Sequence, residues 1–391
     1  MTRRPVALRR GRPRRPERLL VFRAVTVAVA VITVAACGGG RGAQDAAAGL
    51  SASGSSAPVT AGTASTASSP STGSATPGTT APSVPAAGPR SDGGSAVLAF
   101  AGDVHFEGSA AAALSGHVGS AFSVLREADL AVVNLETAVT GRGTAQPKEF
   151  TFRAPAAAFG VLQRAGVDAV TIANNHGMDY GQVGLEDTLA AARRYGMPLL
   201  GAGADDTAAW TPLRREIHGV RISVIAATDV LDDVARTAWV AGPGKPGLAS
   251  AKTTSRLLAA VRAERPRADV VVVFLHWGLE KSYCPTARQR SLAQQVATAG
   301  ADVVVGSHAH VIEPGAGIGR TVVKYGLGNF QFYSSGGLSG QSGVFTVTVT
   351  RGGAGAPAWH PADLVAGAPM LLAGSAAAAR LAAESRRFAT C

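Results

Sequence analysis

The chain has 391 residues, long enough for one large core, and carries 37 Lys+Arg against 26 Asp+Glu for a net charge of +11. Residues 1–23 hold nine arginines and one acid, Glu17, a net of nine minus one or +8, so the rest of the chain supplies only +3. With no basic, aromatic-interleaved stripe after residue 96, this charge speaks against nucleic acid as a partner.

The arginine-rich start runs into the apolar residues 24–36 and then Cys37-Gly38. That order is a positive n-region, an apolar h-region and small residues before a processing point. The run is short for a membrane span, which needs about 20 residues. Val34-Ala35-Ala36-Cys37 has the form of a bacterial lipobox, in which cleavage leaves Cys37 as a lipidated N-terminus; an uncleaved signal anchor is the alternative. Pro5 after Arg3-Arg4 does not suit a twin-arginine signal. Residues 1–37 thus predict an exported protein, lipid-anchored on the outer face of the cell membrane. Residues 38–95 are Gly, Ala, Ser, Thr and Pro with almost no large apolar side chain, a tether that cannot offset its ordering entropy. Its reach is roughly 40 Å.

Folding is expected over residues 96–391, where strands and helices alternate. Apolar runs at 96–101, 130–133, 169–172, 220–227, 270–275, 303–305, 322–325 and 344–349 read as strands. Helices are expected at 156–164 after Pro155, at 182–195 ending in Gly196, at 253–263, from Pro285 through Ala299 to Gly300, and at 376–388. The alternation predicts one α/β domain.

Five segments at or after these strands gather five of the chain's eight histidines: Asp103-Val104-His105, Asn134-Leu135-Glu136, Asn174-Asn175-His176, His276-Trp277-Gly278-Leu279-Glu280 and Ser307-His308-Ala309-His310. Strand C-terminal ends converge on one edge of an α/β sheet, where loops build sites. Imidazole, carboxylate and amide oxygen are ligands for divalent first-row metals, and seven of them can hold two ions. Asp103 and His105 can face one ion, and Glu136 can bridge two through its two oxygens. An Asn amide oxygen in Asn174-Asn175 can ligate, while turn capping is the plain alternative; His176 beside it can move a proton. His276 ends the most apolar strand, where an unpaired polar group is costly. In an extended segment His308 and His310 share one face. No Gly-x-Gly-x-x-Gly, Walker-type lysine or Gly-x-Ser-x-Gly elbow lies within these five segments. His117, His218 and His360 receive no role. Of three cysteines, Cys284 and Cys391 remain after Cys37. In an exported protein two otherwise unpaired thiols predict a disulfide, with metal ligation by Cys284 as the competitor.

Read together and in order, the five segments, with 285–311 and Tyr325-Gly326-Leu327-Gly328-Asn329-Phe330, resemble the CapA family of capsule or poly-γ-glutamate synthesis proteins, a branch similar to the calcineurin-like metallophosphoesterases. The resemblance runs from about Ala96 to Phe332. It implies a metallophosphatase-like α/β sandwich of two central sheets flanked by helices. It implies that Asp103, His105 and His310 hold one divalent metal (Mn, Fe or Zn) and that Asn175, His276 and His308 hold a second, with Glu136 between them. His176 would be an acid or phosphate-contacting group, and Gly328-Asn329-Phe330 would shape the pocket. Glu136 and Asn174-Asn175-His176 stand where typical phosphoesterases carry an Asp-rich motif and a Gly-Asn-His/Asp turn, which weakens a direct inference of phosphatase activity. Three functions follow: a metal-dependent hydrolase or transferase serving an anionic surface polymer such as poly-γ-glutamate, a non-catalytic scaffold of a polymer synthase or export complex, or a general cell-surface phosphoesterase. The net +3 of the folded part gives no electrostatic support for a polyanion, so the polymer rests on the resemblance.

Overall fold

Strands apolar on both faces need cover on both faces, and this chain supplies it with two sheets and flanking helices. The computed structural model describes residues 94–231, 237–333 and 336–391. The leader with Cys37, and the tether up to residue 93, lie outside the described residues.

The expected strands all form, most running further toward their C-terminal ends. Ala96–Val104, Leu130–Leu135, Ala169–Thr171 and Leu199–Leu200 are parallel neighbours in the first sheet. Gln341–Thr350, Gly353–Val365 and Ala368–Leu371 extend it antiparallel, and Asn329–Gln331 pairs with the end of Ala96–Val104. In the second sheet Val220–Thr228, Val270–Trp277, Val303–His308 and Thr321–Lys324 are parallel, with antiparallel edges Leu213–Ile217 and Gly315–Ile318.

The run of four valines shows why the sheets face each other. Val270, Val272 and Phe274 pack with Leu98, Phe100, Val132 and Phe345 between the sheets. Val271, Val273 and Leu275 meet Leu257, Val261, Leu292 and Val296 of the helices Thr254–Glu264 and Ala287–Ala299. Helices Ala157–Arg164 and Gly181–Tyr195 cover the outer face of the first sheet through Phe159, Leu162 and Leu185. The result is the sandwich of two central sheets flanked by helices that the resemblance implies. Among the described residues, no helix is long and apolar enough to cross a membrane.

Two local details differ from expectation. The helix after Pro285 starts at Ala287, because Thr286 accepts from Gln289 N while the Gln289 side chain accepts from Thr286 N. That reciprocal cap fixes the first turn two residues beyond the proline. The strand expected at 344–349 belongs to the longer hairpin Gln341–Thr350 and Gly353–Val365. After the closing helix Gly374–Phe388, Cys391 is bonded to Cys284 with their Cα atoms 5.3 Å apart, which removes Cys284 from the metal-ligand candidates.

Candidate metal centre

The C-terminal ends of both parallel runs open onto one rim. Close approach of backbones builds its base: a Cβ on Gly102 would sit 1.8 Å from Gly328 O, so only glycine lets Asp103 N donate to that carbonyl at 3.0 Å. Asp103, Asn134, Glu136 and Asn174 are fully buried there. Asn134 ties the two sheets together. Its Nδ2 donates to Asp103 Oδ1 at 2.8 Å and lies 3.2 Å from His276 Nδ1, while its Oδ1 accepts from Asn174 Nδ2 at 2.9 Å. Ser307 Oγ stands 3.0 Å from the same His276 nitrogen. On the other side of the ring, His276 Nε2 is 2.9 Å from Asn175 Oδ1 and 3.4 Å from Glu136 Oε1. The two asparagines divide the alternatives between them: Asn174 caps its turn by accepting from His176 N, and Asn175 faces the site.

Ligand-type atoms then converge in overlapping sets. Glu136, His276 and His308 offer atoms within 4.8 Å of one another, as do Asp103, Glu136 and His310. The His276 and His308 ring centres are 4.7 Å apart, and those of His308 and His310 are 5.9 Å apart. His308 and His310 do not share the face of an extended segment. Their φ angles of +93° and +55° turn the chain as it leaves the strand, and that turn brings both rings to the rim. His310 Nδ1 sits 3.2 Å from Asp103 Oδ2 and 2.8 Å from Asn329 Oδ1, so the Gly328-Asn329-Phe330 segment orients an imidazole as well as shaping the wall.

The electrostatics of this cluster suit a cation. Burial, then the neighbouring Asp103, pushes the Glu136 carboxyl well above its ordinary range. Burial, with the other imidazoles, pushes His276 and His308 well below theirs. For His310 burial works in the same downward direction, but Glu136 and Asp103 outweigh it and raise the ring to about 10. Both Glu136 oxygens and His308 Nδ1 are buried without a hydrogen-bond partner among the described residues. Orphaned acceptors of this kind are costly in an interior. A divalent cation would satisfy them, holding the carboxylate ionised and taking imidazole lone pairs. The donor set fits such an ion.

His176 and His105 occupy the flank. His176 Nδ1 is 2.6 Å from Asp179 Oδ2, and Asp179 also accepts from Phe152 N at 2.6 Å and pairs with Lys148 Nζ at 3.0 Å. Lys148 Nζ further donates to Asn175 O. Burial lowers the His176 ring against the pull of Asp179. With Nδ1 held, Nε2 is the nitrogen left for the cavity of about 230 Å³ that His176, His310, Glu280, Phe150 and Phe152 help to line. The structure keeps His105 outside the converging sets. Its Nδ1 accepts from Glu107 N at 3.0 Å, its Nε2 faces Tyr333 N at 3.3 Å, and the ring stacks on Phe152. Burial, then His176 and His310, brings it down to about 3. Sequence reading did not single out Asn134, Ser307, Asp179 or Lys148 individually. The first two lie inside recognised segments, whereas Asp179 and Lys148 carry no local signal.

The family model described as bacterial capsule synthesis protein PGA_cap matches residues 97–334. The chain is 34% identical over 220 residues to the PGA biosynthesis protein CapA of Bacillus subtilis, covering 54% of each. It is 34% identical over 178 residues to the capsule biosynthesis protein CapA of Bacillus anthracis, covering 44% of this chain and 41% of that one. A probable polyglutamine synthesis accessory protein of Mycobacterium tuberculosis is 28% identical over 220 residues, 54% of this chain and 58% of that one. The chain thus spans about half the length of the curated relatives it matches. Among solved structures, a hypothetical protein from Thermus thermophilus covers 69% of this chain and all of its own length at 17% identity and a TM-score of 0.45. A novel phosphatase from Mycoplasma pneumoniae covers 69% of this chain and 94% of its own at 15% identity and a TM-score of 0.44.

Proposed function

The chain belongs to the PGA_cap family of bacterial capsule synthesis proteins, and from that premise we propose that it is a metal-dependent hydrolase or transferase serving synthesis or export of an anionic cell-surface polymer such as poly-γ-glutamate. The observation that carries this reading is the convergence of buried Asp103, Glu136, Asn175, His276 and His308 with half-buried His310 at one rim, both Glu136 oxygens lacking a hydrogen-bond partner among the described residues. These residues would hold two divalent cations, whose chemistry when bound is Lewis acidity toward a phosphoryl or acyl oxygen. For His105 to join them, one of its ring nitrogens must give up a backbone N–H.

The chain's own groups account for the rest. Asn134 and Ser307 fix the His276 ring from behind, and Asn329 fixes His310. Such partners set ring orientation and ligand basicity. Asp179 holds Nδ1 of His176, leaving Nε2 to move a proton at the reacting group. Phe150 and Phe152 supply apolar lining on one side of the cavity. Lipidation at Cys37 would place this site on the outer face of the membrane at the end of the tether, beside a polymer synthase or export complex.

Purified full-length protein loaded with Mn, Fe or Zn should hydrolyse phosphoesters or γ-glutamyl oligomers, with metal content read in parallel. Bound metal with neither activity, and polymer export undisturbed by loss of the ligands, would replace this reading with a scaffold.

A further inference from the structure

Glu280 ends the segment that begins at His276, and it has no part in the ligand set above. Its carboxylate nonetheless forms a set with His308 and His310, one atom from each lying within 4.8 Å of the others. Three features hold it in place. Gly278 turns the chain out of the strand at φ +102°, where a side chain would meet Gln289 Nε2 at 2.8 Å. Lys281 adopts φ +61°, and its N–H donates at 2.8 Å to Ala309 O, the residue between the two histidines. Cys284 is then bonded to Cys391.

Among the described residues five non-glycines have positive φ, and three of them are Lys281, His308 and His310. Such backbones persist where their surroundings over-determine them, and they gather at functional sites. An exposed glutamate ordinarily sweeps through solvent. Here the backbone that carries it is hydrogen-bonded to the very segment that presents the imidazoles. His308 itself is only 5% exposed, and its Nδ1 lacks a partner among the described residues.

We propose that Glu280 is a further metal ligand, reaching the cations held by His308 and His310 from the solvent side. This rests on the metal reading given above. A carboxylate there closes the open face of the centre: it strengthens retention of a divalent ion and competes with anionic substrates for that face.

The test uses full-length protein stripped with chelator and titrated with Mn²⁺, read by calorimetry and by counting bound metal. Glu280→Gln should weaken at least one equivalent by about 10–100-fold, the loss typical of removing a supporting group at a metal site. Glu280→Asp should recover part of that loss, and both stripped variants should melt like the parent. His308→Ala serves as the control and should lose at least one equivalent outright. If Glu280→Gln binds Mn²⁺ like the parent while His308→Ala does not, the Glu280 proposal is overturned and the metal site stands. If His308→Ala also binds like the parent, the metal reading itself fails. Equal losses in Glu280→Gln and Glu280→Asp, accompanied by a lower melting temperature without metal, would mean loop damage and would also overturn it.

Discussion

Two buried oxygens of Glu136, without hydrogen-bond partners among the described residues, set the demand that the surrounding imidazoles answer. His310→Ala removes a ligand-type ring, so metal content should fall. His176→Ala leaves those rings untouched and should keep the metal while turnover drops on the order of 10²–10⁴-fold, as for loss of a positioned proton donor or acceptor. Metal analysis beside a hydrolysis assay separates the two, and equal metal loss in both variants would count against the division of roles. Much of this was legible because ligand-capable side chains at the ends of apolar strands are hard to explain otherwise. The backbone turns were not. Nothing in Ser307-His308-Ala309-His310 announces positive φ at both histidines, since the turn forms against the Asp103 carboxylate, which the His308 N–H meets from 205 residues away. Asn134 also gave no sign of contacting both Asp103 and His276, because its two partners are 31 and 142 residues away.

The closing helix Gly374–Phe388 is pinned by the Cys284–Cys391 bond. The bond closes a loop of sequence separation 107, so replacing both cysteines by serine should cost about 4–5 kcal/mol on the chain-entropy model, measured by urea unfolding. Near that helix lies Lys324, whose Nζ donates to Glu313 O at 2.8 Å and sits 4.3 Å from the Trp359 ring. Burial lowers this lysine to about 8 and raises the Glu313 carboxyl to about 7. The signs follow directly. Glu313 contributes stability below its ordinary 4.5 that is lost as pH rises to about 7, because the unfolded chain gives up the proton first. Lys324 contributes stability above 10.5 that is lost as pH falls through about 8. Glu313→Gln should therefore gain on the parent between pH 4.5 and 7, by about 3 kcal/mol at the upper end from 1.36 kcal/mol per pKa unit, and a constant difference across that range would refute it. At this scale the valine-rich strands were legible and Gly353–Val365 was not. Pro357 and Pro361 argue against a strand, yet Pro357 pairs on one side with Val347 at a level its outer neighbour Ala368–Leu371 does not reach.

For the molecule as a whole, the alternation of strand and helix was enough to give α/β. Which strands share a sheet was not readable from periodicity, because it is set by pairings such as Ala96 with Val349. The chain builds part of the first sheet, then the second, then returns to finish the first. The candidate ligand residues straddle that interruption: Asp103 and Glu136 come from the first sheet and the turn that follows it, His276 and His308 from the second. Chelation should accordingly lower the melting temperature of the entire fold in a single transition, with Mn²⁺ restoring it in a concentration-dependent way by calorimetry. The kinetics carry the consequence further. Until Val303–His308 has docked across Ala96–Val104 the two halves of the candidate ligand set stay apart, and we predict that this docking follows the folding barrier, so that a shared cation's contacts would be absent from the transition state. Interactions made only after the barrier change the escape rate and not the entry rate. Added Mn²⁺ should slow unfolding in stopped-flow experiments and leave refolding untouched, an outcome that would make the ion a latch on the finished protein with no part in assembling it.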